Sequence, residues 1–495
     1  MAVKVLDADI VVIGSGFGGS LTALCARRIG LNVVLIERGG HPRFAIGESS
    51  TPLANLALRQ ISDRYDLPRI APLTQYGSWR RTYPEIMRGL KRGFSYFHQV
   101  AEKPFSPRDD HANELLVAAN PDDEHADTHW LRADVDHFFL KEAVSAGVSY
   151  FDQTEITTLA HGDPWQFSLN RDGEQVRFEA PFVVDASGGG GVVASALEIE
   201  DDRARLLTNS RTVYGHFTGV RRWRELYEAL GGKSADHPFD CDAAALHHIF
   251  DGGWMWVLRF DNDLVSAGFV LDRKRYPIDE SLDAAAEWSS WLSRFPSIQE
   301  QFAGAEPIRP IVRTGRLQRV WSRAAGRNWA MLPYTFGFLD PLHSSGIAHN
   351  LSGIERLMAI LEDGRNITER LGQYERGLHA EFGLMDRIVH GCYAGFAKFK
   401  LMTTFAMHYF AGAHTSEHRR RDGRHDVHDG FLMAHDASFC RTVADHHTRV
   451  CELAGRKRLD PDDMARFLSD VAASIPEGNP AGLCDPAKRN MYEYA

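Results

Sequence analysis

The sequence predicts an α/β fold: a Rossmann-like dinucleotide-binding core, interrupted by inserted segments of mixed structure and followed by a helical C-terminal part. Three observations carry that prediction. A short apolar run, Ile10 to Ile13, ends in the glycine fingerprint Gly14-Ser15-Gly16-Phe17-Gly18-Gly19. A second strand-like segment, Phe182-Val183-Val184-Asp185-Ala186-Ser187-Gly188, enters its own glycine turn far downstream. Beyond Gly364 the hydrophobic pattern is mainly that of helices.

The first unit is the most complete. Ile10 to Ile13 has the unbroken apolar character of a strand buried on both faces. Ser20 to Ile29 reads as a helix, with small Ala23 and Ala26 allowing close packing, and Val33 to Ile36 as the next strand. Gly14 permits the tight turn between strand and helix. Gly16 lets the backbone approach a pyrophosphate, and Gly19 lets the helix lie against the strand with its N-terminus towards the anion. Glu37 ends the second strand, where an acid hydrogen-bonds an unphosphorylated ribose. A glycine-rich turn by itself is a weak signal; strand, turn, helix, strand and acid in that order are a strong one. Asp185 and Gly188 at the later strand end supply the second support that a cofactor as long as FAD requires, and they favour FAD over NAD. The core is therefore expected to be of the FAD-binding, glutathione-reductase or monooxygenase type.

The remaining elements are placed around that unit. Asp134 to Ala146 reads as an amphipathic helix ended by Gly147, and residues 148–184 as a small meander. Within it, Asp172-Gly173 is a hairpin signal between strands at Trp165 to Asn170 and Gln175 to Phe178. Residues 202–320 mix strand and helix signals with many aromatics, and a helix is expected from about Ala348. With no internal repeat and no low-complexity linker, the core is predicted to be discontinuous, over about 8–60, 132–200 and 321–360. Insertions fall at about 61–131 and 201–320, and a helical subdomain covers 361–495.

Composition narrows the partners. The 495 residues suffice for more than one hydrophobic core, and a net charge of -10 gives no bulk attraction for nucleic acid or anionic lipid. Arg419-Arg420-Arg421 is expected to be a solvated loop. The start, Met1 to Asp9, lacks a basic segment followed by an apolar one, and no apolar run approaches the ~18 residues of a membrane span. Six cysteines without a C-x-x-C pair read as reduced thiols, so a cytoplasmic protein is expected. Eight of the 23 histidines fall between His408 and His447, in spacings that match no standard ligand set; a polar, partly exposed helical region is expected there, and no metal.

Four segments resemble the flavin-dependent halogenase family, most nearly its pyrrole-ring branch. His41 to Pro52, with Gly47-Glu48-Ser49, resembles the family's GES-x-x-P segment. Gly253-Trp254-Met255-Trp256-Val257-Leu258-Arg259 resembles W-x-W-x-I-P, and Asp340-Pro341-Leu342-His343-Ser344-Ser345-Gly346 resembles D-P-L-x-S-x-G. Gly89 to Phe97 resembles the strand that holds the family's active-site lysine and places that role on Lys91. The likeness covers roughly the first four-fifths of the chain, to Phe396-Ala397-Lys398-Phe399.

The resemblance implies a halogenase in specialised metabolism. A separate flavin reductase supplies reduced FAD; oxygen and chloride or bromide are consumed; a hypohalous oxidant passes inside the protein to Lys91. There an electron-rich aromatic (a pyrrole, phenol or indole-like ring, free or carrier-tethered) attacks it. Arg43, Glu48, Ser49, Arg132, Asp340 and Gly346 join the fingerprint residues around the cofactor, and the backbone N–H groups of Ser345 and Gly346 are the halide donors. Trp254 and Trp256 wall the flavin from the substrate. By pattern alone Lys91 would be a solvent-facing strand-edge charge, and the two tryptophans an aromatic core pair. Three positions depart from the pattern. Arg259 stands where a proline is expected, and Leu332-Pro333 where many related flavoproteins have Gly-Asp. His343 replaces the glutamate of tryptophan-specific members and reads equally as a general base or as a packed histidine. Arg259 and His343 leave open a flavin monooxygenase or oxidase on the same scaffold; a non-catalytic FAD-binding partner protein is the third reading.

Overall fold

A computed structural model describes residues 8–171, 173–426, 429–475 and 479–495. The extreme start, Asp172 of the expected hairpin turn and His428 lie outside the described residues.

The dinucleotide unit sits in a six-stranded sheet of order Ala325–Gly326, Trp329–Met331, Phe182–Asp185, Ile10–Ile13, Val33–Ile36, Ser149–Phe151. Val11 lies opposite Val183 on one side and Val34 on the other, both in parallel register. A central parallel strand covered on both faces explains why all four of its residues are apolar and buried. Helix α1, Phe17–Arg28, starts earlier than the expected Ser20 because Gly18 and Gly19 lie inside it. A Cβ on Gly19 would fall 1.9 Å from the Gly14 carbonyl oxygen, so strand and helix approach this closely only without a side chain there. Helix α2, Arg132–Ser145, packs beside α1. The expected meander is divided. Glu155–Ala160, Trp165–Arg171 and Glu174–Ala180 form their own three-stranded sheet, while Ser149–Phe151 and Phe182–Asp185 belong to the core sheet.

A second, nine-stranded sheet draws mainly on residues 93–118 and 210–313. Its middle runs Ser210–Thr218, Val265–Asp272, Gly253–Arg259, Ala245–Phe250, Gly93–His98, Glu114–Ala118. Alternation along Gly253–Arg259 divides its side chains between two cores. Trp254, Trp256 and Leu258 face the main core, and Met255 and Val257 face a second cluster with Trp223, Trp288 and Trp291. The C-terminal segment is not purely helical: Met491–Tyr492 returns to pair in parallel with Leu116 and Val117 of the inserted sheet.

Helix α3, Ser345–Asp363, begins three residues before the expected Ala348. It is followed by α4, Ile367–Gly395, α5, Phe399–Arg421, and α6, Ala437–Gly455. The arginine run is not a solvated loop. It forms the last turn of α5, where cations suit the helix dipole, and Arg420 is buried with its guanidinium 2.9 Å from Glu355. The histidine-rich stretch is likewise not uniformly surface: His408 is fully buried, with Nε2 2.9 Å from Nδ1 of His446. No helix among the described residues is long and apolar enough to cross a membrane.

Candidate active site

The fingerprint turn forms an anion cradle. Helix α1 begins at Phe17 with no side-chain cap, leaving its first N–H groups open. The position a Cβ would take on Gly16 is flanked by the guanidinium ends of Arg43 at 3.7 Å and Arg132 at 3.8 Å. Arg132 is held by a bidentate pair with Asp136 at 2.8 and 2.9 Å, and it also donates to the carbonyls of Ile46 and Gly47. Glu37 accepts from the Ser15 N–H and hydroxyl at 3.0 and 3.1 Å, from Gly39 N–H at 2.9 Å and from Arg43 at 3.2 Å. Burial opposes ionisation of Glu37. The Gly39 and Ser15 hydrogen bonds and the Arg43 charge nevertheless hold its carboxyl below the usual range. Its Oε1 takes one donor and keeps a lone pair for a ribose hydroxyl. Asp185 points away from this cradle. It is fully buried and accepts the N–H groups of Ser187 and Val193 at 2.9 and 2.7 Å, so it shapes the second turn. Gly188 follows at φ +61, with its N–H on the Thr335 hydroxyl.

Gly47, whose carbonyl Arg132 holds, lines a cavity of about 390 Å³, within the range of cofactor sites. Glu48, Ser49, Trp254, Trp256, Asp340, Ser345 and Gly346, all expected around the flavin, line it together. Four polar atoms of its lining are buried without a protein partner: Glu48 Oε2, Ser49 Oγ, Arg316 Nε and Arg319 Nε. Glu48 Oε1 lies 2.8 Å from His216 Nε2. On the opposite wall Asp340 accepts from Ser210 and Tyr393 at 2.8 Å each, and Tyr393 in turn accepts the Trp254 indole N–H at 3.1 Å. Burial pushes the Asp340 carboxyl up to about 6. Ser344 is left-handed, φ +52, and turns the chain so that the N-terminus of α3 faces the cavity. Pyrophosphate donors, a ribose acid and an apolar cavity with unpaired polar atoms fit FAD.

Lys91 lies outside that cavity, fully buried. Its ammonium donates to the Ser50 carbonyl at 2.5 Å and sits 4.1 Å from the centre of the Phe94 ring. Directly across the antiparallel pair stands Asp127, which no motif in the sequence marks. Burial drives the two towards neutrality. The Lys91 ammonium is held below the usual lysine range and the Asp127 carboxyl above the usual carboxylate range, each partly restored by the other's charge. His247 joins the two regions. It lines the FAD cavity, stacks on Tyr96 at 4.4 Å, and feels the charge of Lys91.

On the other side of Phe94 is a small nook lined by Pro52, Phe94, Val117, Tyr409, Phe410 and Glu417. Its volume of about 20 Å³ holds roughly one water. An aromatic ring enters only if Tyr409 or Phe410 turns aside. Glu417 is nine-tenths buried or more, has Arg421 at 3.9 Å as its nearest cation, and is pushed up to about 8 by burial. Glu417 and Tyr409 are equally unmarked in the sequence, since both sit on α5 and share the nook with Phe94, the ring beside the Lys91 ammonium, only through the fold.

The departures also find places. Arg259 turns away from the cavity: it donates to Asp242 at 3.0 Å, to the Val220 carbonyl at 3.1 Å and to the Arg221 carbonyl, fixing the strand end that a proline would otherwise fix. Pro333 opens a one-turn helix beside the cavity, and the preceding Leu332 N–H bonds the Asp185 carbonyl at 2.9 Å. His343 is buried among aromatic side chains, with Nδ1 lacking a protein partner. It stacks on Tyr409 at 4.3 Å and contacts Cys392 Sγ at 3.7 Å, and burial lowers it to about 3.

Fold and site together define an FAD-dependent oxidoreductase. A profile of an FAD binding domain matches residues 9–229, and the tryptophan halogenase profile matches residues 125–398. The chain belongs to the tryptophan halogenase family and is an FAD-dependent halogenase. Monodechloroaminopyrrolnitrin halogenase PrnC of Pseudomonas fluorescens is 31% identical over 80% of this chain and 70% of that protein. Tetracycline 7-halogenase of Kitasatospora aureofaciens is 31% identical over 79% and 71%. The crystal structure of halogenase PltM superposes with a TM-score of 0.89 at 24% identity, covering 99% of this chain and 100% of that one, a likeness of fold.

Proposed function

We propose that this enzyme halogenates an electron-rich aromatic ring, a pyrrole, phenol or indole-like compound, in specialised metabolism, with reduced FAD delivered by a separate flavin reductase in the cytoplasm. The observation that carries the proposal is a fully buried lysine whose ammonium lies against Phe94, a ring that lines an apolar nook with one carboxyl group, and whose charge reaches His247, which lines the FAD cavity. The relatives named above act on aromatic compounds, and some family members act on pyrroles tethered to a carrier protein. The discontinuous segments 8–60, 132–200 and 321–360 are our proposed FAD-binding unit, with 61–131 and 201–320 as its substrate layer.

Bound reduced FAD supplies, with oxygen and halide, a hypohalous oxidant. The residues of the chain do the rest. Fingerprint glycines, Arg43 and Arg132 hold the pyrophosphate end, and Glu37 the ribose. Backbone N–H groups of Ser345 and Gly346, at the positive end of α3, attract the halide; an open helix N-terminus is suited to anions. Trp254 and Trp256 close the cavity, so the ring that is to be halogenated stays out of reach of the flavin. Lys91 then receives the oxidant. Its ammonium hydrogen-bonds the oxidant and increases the polarity of the oxygen–halogen bond; Asp127 keeps that ammonium charged at neutral pH. A ring in the nook attacks the halogen, and Glu417 takes the proton that leaves.

The purified enzyme with FAD, a flavin reductase, NADH, oxygen and chloride or bromide is expected to halogenate members of a pyrrole, phenol and indole panel. No halogenated product from any of them sinks the proposal.

The pairing with Asp127 has its own consequence. The alkaline limb of the rate profile belongs to loss of the Lys91 proton. Removing the anion in Asp127→Asn destabilises the ammonium and lowers the Lys91 pKa, so that limb moves to lower pH by about one unit. An alkaline limb that stays in place overturns the pairing.

A further inference from the structure

The C-terminal helices carry a cluster that halogenation does not use. His390 on α4 faces His447 and Cys451 on α6. His390 Nδ1 is 2.9 Å from His447 Nε2, and Cys451 Sγ is 3.8 Å from the same nitrogen. All three ligand atoms lie within 4.8 Å of one another. His447 and Cys451 are one turn apart on α6, so both project from one face of that helix.

Those separations match a small tetrahedral site. Zinc–nitrogen bonds of about 2.0–2.1 Å and zinc–sulfur bonds of about 2.3 Å place ligand atoms roughly 3.3–3.6 Å apart. The observed 2.9 and 3.8 Å bracket that range, and rotamer shifts of a few tenths of an ångström reach it. Each of the three side chains is half-buried, sheltered enough to be held and open enough for an ion to enter. A neighbouring pocket of about 140 Å³, lined by His390, Asp272, Lys274 and Tyr393, brings solvent to the cluster.

The charges facing the cluster leave room for a cation. Asp386 and Asp272 on one side are offset by Arg387 and Lys274 on the other. Asp386 is not a fourth ligand, because its oxygens accept the N–H groups of Leu207 and Thr208 at 2.7 and 3.0 Å. The fourth position is therefore open to water.

We propose that His390, His447 and Cys451 form a zinc site that clips α4 to α6. The thiol gives up its proton on binding, so one thiolate and two neutral imidazoles hold the ion, and a water completes the tetrahedron. Sulfur with two imidazoles selects zinc over magnesium or calcium, which prefer oxygen. The site is a staple between helices: metal bound only by the folded state raises the free energy of unfolding.

The test uses the full chain, with zinc and cobalt(II) as probes and no substrate. The parent protein is expected to retain one zinc per chain through dialysis against metal-free buffer. It is expected to take up cobalt(II) with a thiolate charge-transfer band and the intense visible bands of four-coordination, and to melt at a higher temperature with zinc. Cys451→Ser and His390→Ala are expected to weaken zinc at least about tenfold and to abolish the thiolate band, a loss on the scale of removing a metal's support. Cys440→Ser, on the same helix but outside the cluster, keeps both. Far-ultraviolet circular dichroism of each variant separates loss of ligand from loss of fold. Absence of stoichiometric zinc in the parent, or equal zinc binding by parent, Cys451→Ser and Cys440→Ser, overturns the site and leaves an ordinary histidine pair.

Discussion

Lys91→Ala is expected to abolish halogenation, by about 10³-fold or more, while FAD binds as before. Lys91 is fully buried and away from the FAD cavity, so its loss leaves the cradle at Gly14 to Gly19 intact. The fold is expected to survive, because Asp127 does not need the lysine to stay buried. Burial already pushes its carboxyl above the usual range, and without the ammonium it takes up a proton. Asn55 still donates to it at 2.7 Å. Lys91→Met, which fills the same volume without a donor, separates loss of charge from loss of packing. In both variants NADH and oxygen are consumed, and a halide-dependent oxidant escapes to a scavenger in solution, since its formation is upstream of Lys91. Halogenation that persists in Lys91→Ala removes the lysine from the mechanism. Loss of FAD binding would instead make it structural.

The contrast between Gly19 and Lys91 shows what the sequence exposes. Strand, glycine turn, helix and acid in the first unit are contiguous and have fixed periods, so each could be read locally; the structure moves their ends by only a few residues. Lys91 is different. A lysine at a strand edge is ordinarily solvated, and only the resemblance to a family placed it inside. Its surroundings were illegible because they arrive through strand pairing and helix packing: Asp127 across an antiparallel register, His247 from the strand that pairs with Gly93–His98, and the nook's Glu417 from α5. Arg259 misled for the opposite reason. The motif showed that a proline was missing, but the three hydrogen bonds that replace it join segments far apart in the chain. The arginine run misled because three adjacent charges look solvated in one dimension, whereas a helix sends each in a different direction and buries Arg420 on Glu355. The strand Met491–Tyr492 is too short for any periodicity to show.

Glu417→Gln carries the second large effect. The side chain keeps its shape and loses the capacity to take a proton, so halogenation is expected to fall about 10²-fold with the substrate still bound. The pH dependence distinguishes this from a packing defect. Burial raises the Glu417 carboxyl to about 8, so the ionised form that accepts a proton grows as pH rises towards that value, and the wild-type rate climbs with it. Burial holds the Lys91 ammonium to about 8 as well, so loss of its proton brings the rate down from the same region, giving a narrow bell. Glutamine removes the rising limb and leaves the falling one, because a neutral amide does not titrate there. Asp127→Asn does the reverse, shifting the falling limb and leaving the rising one. A buried pair that merely stabilised the fold would lower the rate at every pH by the same factor. Retention of the rising limb in Glu417→Gln assigns it to another group, and His343, lowered to about 3, is already deprotonated throughout this range and gives no limb there. The nook then has only the uncharged imidazole of His414, lowered to about 4 by burial, as a base of its own. Proton loss would fall to water admitted when Tyr409 or Phe410 turns aside, and the solvent isotope effect on the rate would rise with it.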